Sequence, residues 1–252
     1  MTTSELSEFL NEKADYYENP DFISSDPIQI VHQFERKQDI EICGLLTATI
    51  AWGQRKSIIA NAQKMVDIME GEPYRFITEA TDSEMTRSTD FVHRTFNHID
   101  LVGFFQALKA LYQQHNSLEP YFCTPEGTAQ QGVYQFRNEM IAAKIPARSH
   151  KHISNPMKNS AAKRLNMFLR WMCRPNAKGV DFGLWSKFPL SSVMIPLDVH
   201  TGNVARKLGL ITRKQNDWKA LEELMTTLKQ FDSKDPGKYD FALFGLGAFE
   251  KF

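Results

Sequence analysis

Apolar residues recur at helical spacing along most of this chain, and this periodicity constrains the fold more than any other feature. Strand-like alternation of apolar and polar residues is scarce, and the sequence contains no Asn-Gly or Asp-Gly hairpin turn. Helices are predicted for residues 4–17, 26–34, 39–52, 55–69, 100–112, 130–143, 160–173, 198–208, 217–231 and 236–246. The sequence therefore predicts an all-α protein.

The length of 252 residues suits one large helical domain, or two helical lobes that share a cleft. The chain is 42% hydrophobic and 12% aromatic, which is enough for a substantial core. The stretch 145–160 is polar, basic and contains proline, so it is predicted to be a lobe boundary or an exposed loop. We therefore expect a single domain over residues 1–252, with that boundary inside it.

Several classes of protein are disfavoured by what the sequence lacks. No apolar run approaches the ~20 residues of a membrane-spanning helix, and the first ten residues do not resemble a secretory signal. Cys43, Cys123 and Cys173 are far apart and odd in number, which disfavours a disulfide framework and a cysteine-based metal site. The expectation is a cytoplasmic protein with no membrane partner and no metal.

The formal net charge is zero, but the charges are distributed unevenly. Residues 1–148 contain 13 Lys and Arg against 21 Asp and Glu, whereas residues 149–252 contain 17 against 9. The stretch from Lys151 to Lys178 has seven basic residues and no acid. A polyanion such as DNA requires a basic surface of this kind, although a solvated face balanced by the acidic half explains the charges equally well.

The helix predicted from Ser160 has two distinct faces. Its apolar face contains Ala161, Leu165, Phe168, Leu169 and Met172. Its polar and mostly cationic face contains Lys163, Asn166, Arg170 and Arg174. Periodicity alone favours an ordinary surface helix whose polar side faces solvent.

A second helix is predicted to begin where the apolar run 195–197 meets Asp198, and to end at Gly209. An aspartate in that position is typically an N-cap. A capping aspartate can also face a cleft, so a functional role for Asp198 stays open.

The segment 195–210, IPLDVHTGNVARKLGL, resembles the signature of the helix-hairpin-helix DNA glycosylases, in which a V-D-T-H block contains the essential acid. The segment 162–169 resembles the helix that opens with the catalytic lysine of the bifunctional members, and 45–54 resembles a helix ending in a glutamine near the DNA gap. The segment 240–247 resembles the closing helix of these enzymes. The chain is identified on these blocks as a member of that superfamily, in a bacterial branch.

The resemblance implies a helix-hairpin-helix fold with two lobes flanking a cleft, and a DNA glycosylase with abasic-site lyase activity. Asp198 would be the catalytic acid, Lys163 the Schiff-base nucleophile and Gln54 the residue near the gap. The partner would be double-stranded DNA containing a damaged base, with no cofactor and no obligate protein partner, on the nucleoid. The spacing of 35 residues between Lys163 and Asp198 is longer than in endonuclease-III-type enzymes and closer to that of archaeal 8-oxoguanine glycosylases, so 8-oxoguanine is the expected lesion by analogy.

The sequence departs from the superfamily pattern at the hairpin. The stretch 155–161, NPMKNSA, stands where L-P-G-x-G is usual and has no glycine, although glycine lets backbone amides approach a phosphate. The departure makes Lys158 a rival to Lys163 as nucleophile. The cysteine quartet of the iron–sulfur members is absent as well.

Further residues are candidates for contacts with DNA or with a flipped base. The residues expected to contact DNA are Gln54, Asn159, Ser160, Arg164, Asn166, Arg170 and His200. Trp171, Phe182 and Trp185 are aromatic side chains that could line a pocket for a flipped base, although core packing is the commoner role of such residues.

Three other functions remain open at this point. The chain could be a non-catalytic DNA-binding protein on the same fold, because the hairpin glycines are missing. It could be a hydrolase acting on RNA or nucleotides with Asp198 as general base. It could also be a helical scaffold that binds another protein through its acidic N-terminal half.

Overall fold

The computed structural model describes residues 1–87 and 90–252, and these are predominantly helical. The all-α prediction is confirmed at this level. The α-helices are α1 (Thr3–Tyr17), α2 (Ile28–Val31), α3 (Lys37–Thr49), α4 (Arg55–Ile68), α5 (Pro73–Glu79), α6 (Asp82–Met85), α7 (His98–Gln114), α8 (Ala129–Ala142), α9 (Lys163–Cys173), α10 (Val199–Lys207), α11 (Trp218–Phe231) and α12 (Tyr239–Ala248). Short 3₁₀ segments occupy Pro20–Ser25, Glu119–Tyr121, Ala147–His152, Pro156–Lys158, Leu190–Ser192 and Pro236–Lys238.

The chain divides into two compact units. The first comprises Met1–Ser24, Glu126–Gln130 and Asn155–Phe252, and the second comprises Ser25–Pro125 and Gln131–Ser154. The final crossing into the first unit falls within the stretch 145–160, where the sequence predicted a boundary or loop. The assignment of residues 1–252 to one domain stays a prediction.

In the first unit, α1 and α10 both pack against α12. Apolar side chains of α12 such as Phe241, Leu243 and Leu246 are almost fully buried, as expected of a helix enclosed by neighbours. Gly245 lies directly under the aromatic ring of Tyr17, where a Cβ atom would overlap the ring. The absence of a side chain at Gly245 therefore lets α1 approach α12 closely.

In the second unit, α3 packs against α2, α4 and α5, and α5 packs against α7. The carboxylate of Glu41 on α3 is fully buried. It accepts hydrogen bonds from Tyr112 Oη at 2.8 Å, Ser117 Oγ at 2.6 Å and the backbone N–H of Leu118 at 3.0 Å. These bonds compensate the cost of burying the charge and join α3 to α7 and the loop that follows it.

Two short strands, β1 (Val92–His93) and β2 (Phe96–Asn97), form an antiparallel hairpin that the sequence did not predict. The register pairs Val92 with Asn97 and His93 with Phe96, and Arg94 in the turn has a φ of 56°. Strands of two residues are too short to show alternation, and a left-handed arginine is not a recognised turn signal.

Several predicted helix boundaries were wrong by a few residues. α3 ends at Thr49 rather than Trp52, and α9 begins at Lys163 rather than Ser160. The cap of α7 is Asn97, whose side chain accepts from the backbone N–H of Ile99, whereas Asp100 accepts the reciprocal bond from the N–H of Asn97. Asp100 is thus the third helical residue of a capping box rather than the cap.

None of the helices in residues 1–87 and 90–252 combines the length and apolar character that crossing a bilayer demands. Across the same described ranges, His, Cys, Asp and Glu side chains form no group of three that could hold a metal ion.

Candidate functional site

Lys163 and Asp198 lie side by side in the first unit. The Nζ atom of Lys163 is 3.4 Å from Oδ2 of Asp198, and their side chains are 37% and 15% exposed. Lys163 is the first residue of α9, and Asp198 is the N-cap of α10. An amine and a carboxylate separated by 35 residues of sequence therefore meet at the adjoining ends of two helices, where a reactant can reach them.

The two oxygens of Asp198 have different partners. Oδ1 accepts a hydrogen bond of 2.9 Å from the backbone N–H of Thr201, which is the usual bond of an N-cap. Oδ2 faces the amine of Lys163. Because capping occupies only one oxygen, the capping and chemical roles that the sequence left open for Asp198 are compatible.

The segment before α9 turns without glycine. Asn159 and Ala162 both adopt left-handed backbone conformations, with φ of 64° and 46°. Asparagine enters this region more easily than most residues, whereas alanine does so at a cost. Ala162 is the N-cap of α9 and supplies no side-chain cap bond.

Asn159 joins this segment to the start of α11. Its Nδ2 donates to Oδ2 of Asp217 at 2.9 Å, and its backbone oxygen accepts from the N–H of Trp218 at 3.1 Å. Its Oδ1 accepts from the backbone N–H of Lys219 at 3.3 Å, and Ser160 forms an isolated β-bridge with Asp217. Asn159 and Ser160 were predicted to contact DNA. The contacts seen here are internal and hold the segment in place.

Two exposed lysines adjoin this junction. Lys158 immediately precedes Asn159, and Lys219 is held beside it through its backbone. Lys158 was predicted as a rival nucleophile, whereas Lys219 was not singled out from the sequence. Only the fold brings Lys219 next to the segment that leads into Lys163.

The predicted cationic face of α9 is mostly buried, which corrects the interpretation of α9 as a surface helix. Asn166 is fully buried and donates to the backbone oxygen of Ala161 at 2.9 Å. Arg170 is 3% exposed and pairs with Asp240 and with Asp181. The side chains of Asn166 and Arg170 are therefore not placed to contact DNA.

Arg164 is half-buried in the first turn of α9. Burial lowers the pKa of its guanidinium group to about 10, so it keeps its charge at neutral pH. Its predicted contact with DNA stays a prediction.

The predicted base pocket does not form as a surface feature. Trp171 is fully buried in α9, and Trp185 is 3% exposed and packs edge-to-face on Phe168. Phe182 is partly exposed, and its backbone N–H bonds to the oxygen of Trp171 at 2.8 Å. The two tryptophans therefore belong to the core of the first unit, the alternative that the sequence left open.

His200 and Gln54 are both exposed. His200 is on α10, two residues after Asp198, and its Cβ lies close to Gly247 of α12. Gln54 is the N-cap residue of α4 and does not end a helix as predicted. Gln54 belongs to the second unit, whereas Lys163 and Asp198 belong to the first.

Asp240, which the sequence analysis did not select as a site residue, is a buried neighbour of this region. One oxygen accepts from Arg170, whereas Oδ1 is buried and finds no hydrogen-bond partner among the described residues. Burial raises the pKa of Asp240 to about 6, against the opposing charge of Arg170, and the charge of Asp198 contributes to the rise.

This raised pKa predicts how the stability depends on pH. Between about pH 4 and pH 6 the folded protein keeps a proton on Asp240 that the unfolded chain has lost, so stability falls as pH rises through that window. The Asp240→Asn variant lacks this proton. The stability of the wild type relative to the variant should fall by on the order of 2–3 kcal/mol between pH 4 and pH 7, measured by urea denaturation of both proteins. A difference that is constant with pH would contradict the assignment.

Comparison with known protein families gives one match. The family described as protein of unknown function (DUF2400) matches residues 26–249. A search of curated proteins found no match, and a search of solved structures found none. The identification as a helix-hairpin-helix DNA glycosylase was therefore wrong, because the family that matches is a different one and nothing found points to that superfamily.

Proposed function

We propose that this chain, which belongs to the DUF2400 family, cleaves N-glycosidic bonds in damaged double-stranded DNA and then opens the abasic site through a lysine Schiff base. The observation that supports the proposal is the 3.4 Å approach of the Lys163 amine to the Asp198 carboxylate in a partly exposed position.

Cleavage of an N-glycosidic bond develops positive charge on the sugar. The carboxylate of Asp198 would stabilise that charge, because a fixed anion beside the reacting carbon lowers the energy of the transition state. The amine of Lys163 would then attack C1′ and form a C–N bond as the base departs with the bonding electrons. The nitrogen loses a proton, the C1′–O4′ bond breaks and O4′ takes up a proton, which gives the open-chain Schiff base. Removal of a proton from C2′ then forms a C2′–C3′ double bond as the C3′–oxygen bond breaks and the 3′ phosphate leaves.

The surroundings of the pair support a polyanionic substrate. Lys158 and Lys219 are exposed beside the segment that leads into Lys163, and an exposed amine contributes to affinity for a phosphate backbone. The first unit also contains most of the basic C-terminal part of the chain. If the substrate is chromosomal DNA, the enzyme would act at the nucleoid in the cytoplasm.

The finer fold expectation, with two helical lobes flanking a DNA-binding cleft, stays a prediction. The proposed chemistry requires only the pair, because both reacting groups lie in the first unit. The identity of the lesion also stays a prediction, with 8-oxoguanine as the first candidate.

The decisive experiment is borohydride trapping of the purified protein on labelled duplexes that contain 8-oxoguanine, an abasic site or neither. A Schiff base is reduced to a stable amine, so we expect a covalent adduct on the first two duplexes and none on the undamaged control. Binding to all three duplexes without any adduct or base release would overturn the proposal and favour the non-catalytic DNA-binding alternative. Absence of DNA binding at low salt would favour the protein-interaction scaffold.

A further inference from the structure

Asn216 holds Asp198 through its main chain. Nδ2 of Asn216 donates to the backbone oxygen of Asp198 at 2.7 Å, and Oδ1 accepts from Nη2 of Arg206 at 2.6 Å. Arg206 is two turns further along α10, and its Nε also donates to the backbone oxygen of Arg213 at 2.9 Å. The bond from Arg206 therefore orients the side-chain amide of Asn216, and the amide nitrogen bonds to the main chain of Asp198.

Gly202 makes room for this contact. A Cβ atom on Gly202 would lie 2.5 Å from Oδ1 of Asn216 and 2.9 Å from Nη1 of Arg206. The side chain of Asn216 thus packs directly on the first turn of α10, where a larger residue would displace it.

The next residue, Asp217, bonds to the segment that precedes Lys163. Its Oδ2 accepts from Nδ2 of Asn159 at 2.9 Å, and its Oδ1 accepts from the backbone N–H of Ala220 at 3.0 Å as the cap of α11. The guanidinium of Arg213 bonds to both oxygens. Asn159 lies four residues before Lys163, so Asp217 fixes the segment from which the reactive lysine starts.

We propose that the adjacent residues Asn216 and Asp217 act together as a positioning clamp. Asn216 fixes Asp198, whereas Asp217 fixes the segment that leads into Lys163. Because one peptide bond joins the two residues of the clamp, the separation of the amine and the carboxylate is set by a single rigid piece of backbone. The catalytic role of the clamp rests on the proposed function, whereas its effect on the distance between Lys163 and Asp198 does not.

The clamp predicts that specific substitutions change the distance within the pair while the fold persists. Asn216→Asp keeps the size of the side chain but turns an acceptor toward the backbone oxygen of Asp198. Asp217→Ser keeps a cap for α11 but is too short to hold Asn159. Gln215→Glu is the matched control, because it makes the same amide-to-carboxylate change at the exposed neighbouring residue.

A water-soluble carbodiimide measures the distance without DNA. It activates the carboxylate of Asp198, the amine of Lys163 displaces it to form an amide, and the reagent leaves as its urea. We expect mass spectrometry to detect the Lys163–Asp198 crosslink in the wild type and in Gln215→Glu. In Asn216→Asp and Asp217→Ser the yield should fall about tenfold or more, because small misplacements strongly slow reactions between positioned groups. Circular dichroism verifies that each variant is folded.

Borohydride trapping is then measured on the same four proteins. The clamp predicts that the single-turnover trapping rate at saturating DNA falls in both clamp variants and not in Gln215→Glu, whatever small change in DNA affinity the altered charge causes, a split that general loss of structure would not produce. Wild-type crosslink yields in the clamp variants, or no crosslink in the wild type, would overturn the clamp. If the crosslink behaves as expected but no protein traps DNA, the clamp stands and the proposed function fails.

Discussion

Replacement of Lys163 by glutamine should abolish the borohydride-trapped adduct with DNA. Glutamine has no amine and cannot form a Schiff base, yet it keeps a polar side chain at the first position of α9. Lys158→Gln and Lys219→Gln are matched controls. Both lysines are exposed near Lys163, and their replacement leaves Lys163 and Asp198 in place. We expect both controls to form the adduct but to bind DNA more weakly, with a smaller dependence of affinity on salt.

The same assay separates the two members of the pair. Asp198→Asn should retain the capping bond to Thr201, because an asparagine oxygen can accept it, and should therefore fold. Loss of the negative charge should slow single-turnover base release by about 100-fold or more. An adduct that survives in Lys163→Gln, or base release that is unaffected in Asp198→Asn, would refute the assigned roles.

Replacement of Arg174 by methionine should cause the largest loss of stability. Arg174 is 4% exposed, and its guanidinium pairs with Glu18 at 2.7 Å, Asp181 at 2.7 Å and Asp235 at 2.9 Å. Methionine fills much of the space but leaves three carboxylates without their common partner. Breaking a buried ion pair in this way costs about 3–5 kcal/mol, which corresponds to a fall in Tm of roughly 10 °C for a chain of this size.

Lys178→Met provides the comparison for that measurement. Lys178 pairs with Asp15 at 2.5 Å, and the two side chains are 36% and 78% exposed. It is also 3.9 Å from Glu18, but Glu18 keeps its closer partner Arg174 in this variant. An exposed pair contributes about 0–1 kcal/mol, so this variant should unfold within a few degrees of the wild type. Equal shifts in Tm for the two variants in thermal denaturation would contradict the view that burial makes Arg174 important.

The helices themselves were predictable, because an apolar face that packs on a core leaves a periodic trace in the sequence. The surroundings of the polar face of α9 could not be predicted. Arg170 and Arg174 have the sequence pattern of a solvated face, but carboxylates far away in the chain pair with them, Asp240 with Arg170 and Glu18 with Arg174. Local sequence records that a residue is charged and does not record whether a distant partner buries it.

Lys163 and Asp198 were selected from the sequence only through a resemblance to a superfamily that is not the one matched. The structure places the two groups together, but their chemical roles stay predictions. Asn216 could not be selected from the sequence, because nothing local distinguishes it from any other polar loop residue. The turn without glycine had a weak signal in Asn159, a residue that tolerates a left-handed backbone.

The packing of α1 against α12 has a consequence for synthesis on the ribosome. Because α1 and α12 belong to the same unit, α1 is made long before the helix it packs against, whereas the second unit is complete once residue 154 has been made. At a synthesis rate of about 5–20 residues per second, the delay between the synthesis of α1 and that of α12 is on the order of ten seconds or longer. The buried residues of α1, Leu10 and Ala14, therefore lack the contacts of α12 until that helix is made, and a nascent chain stalled before α12 cannot complete its first unit.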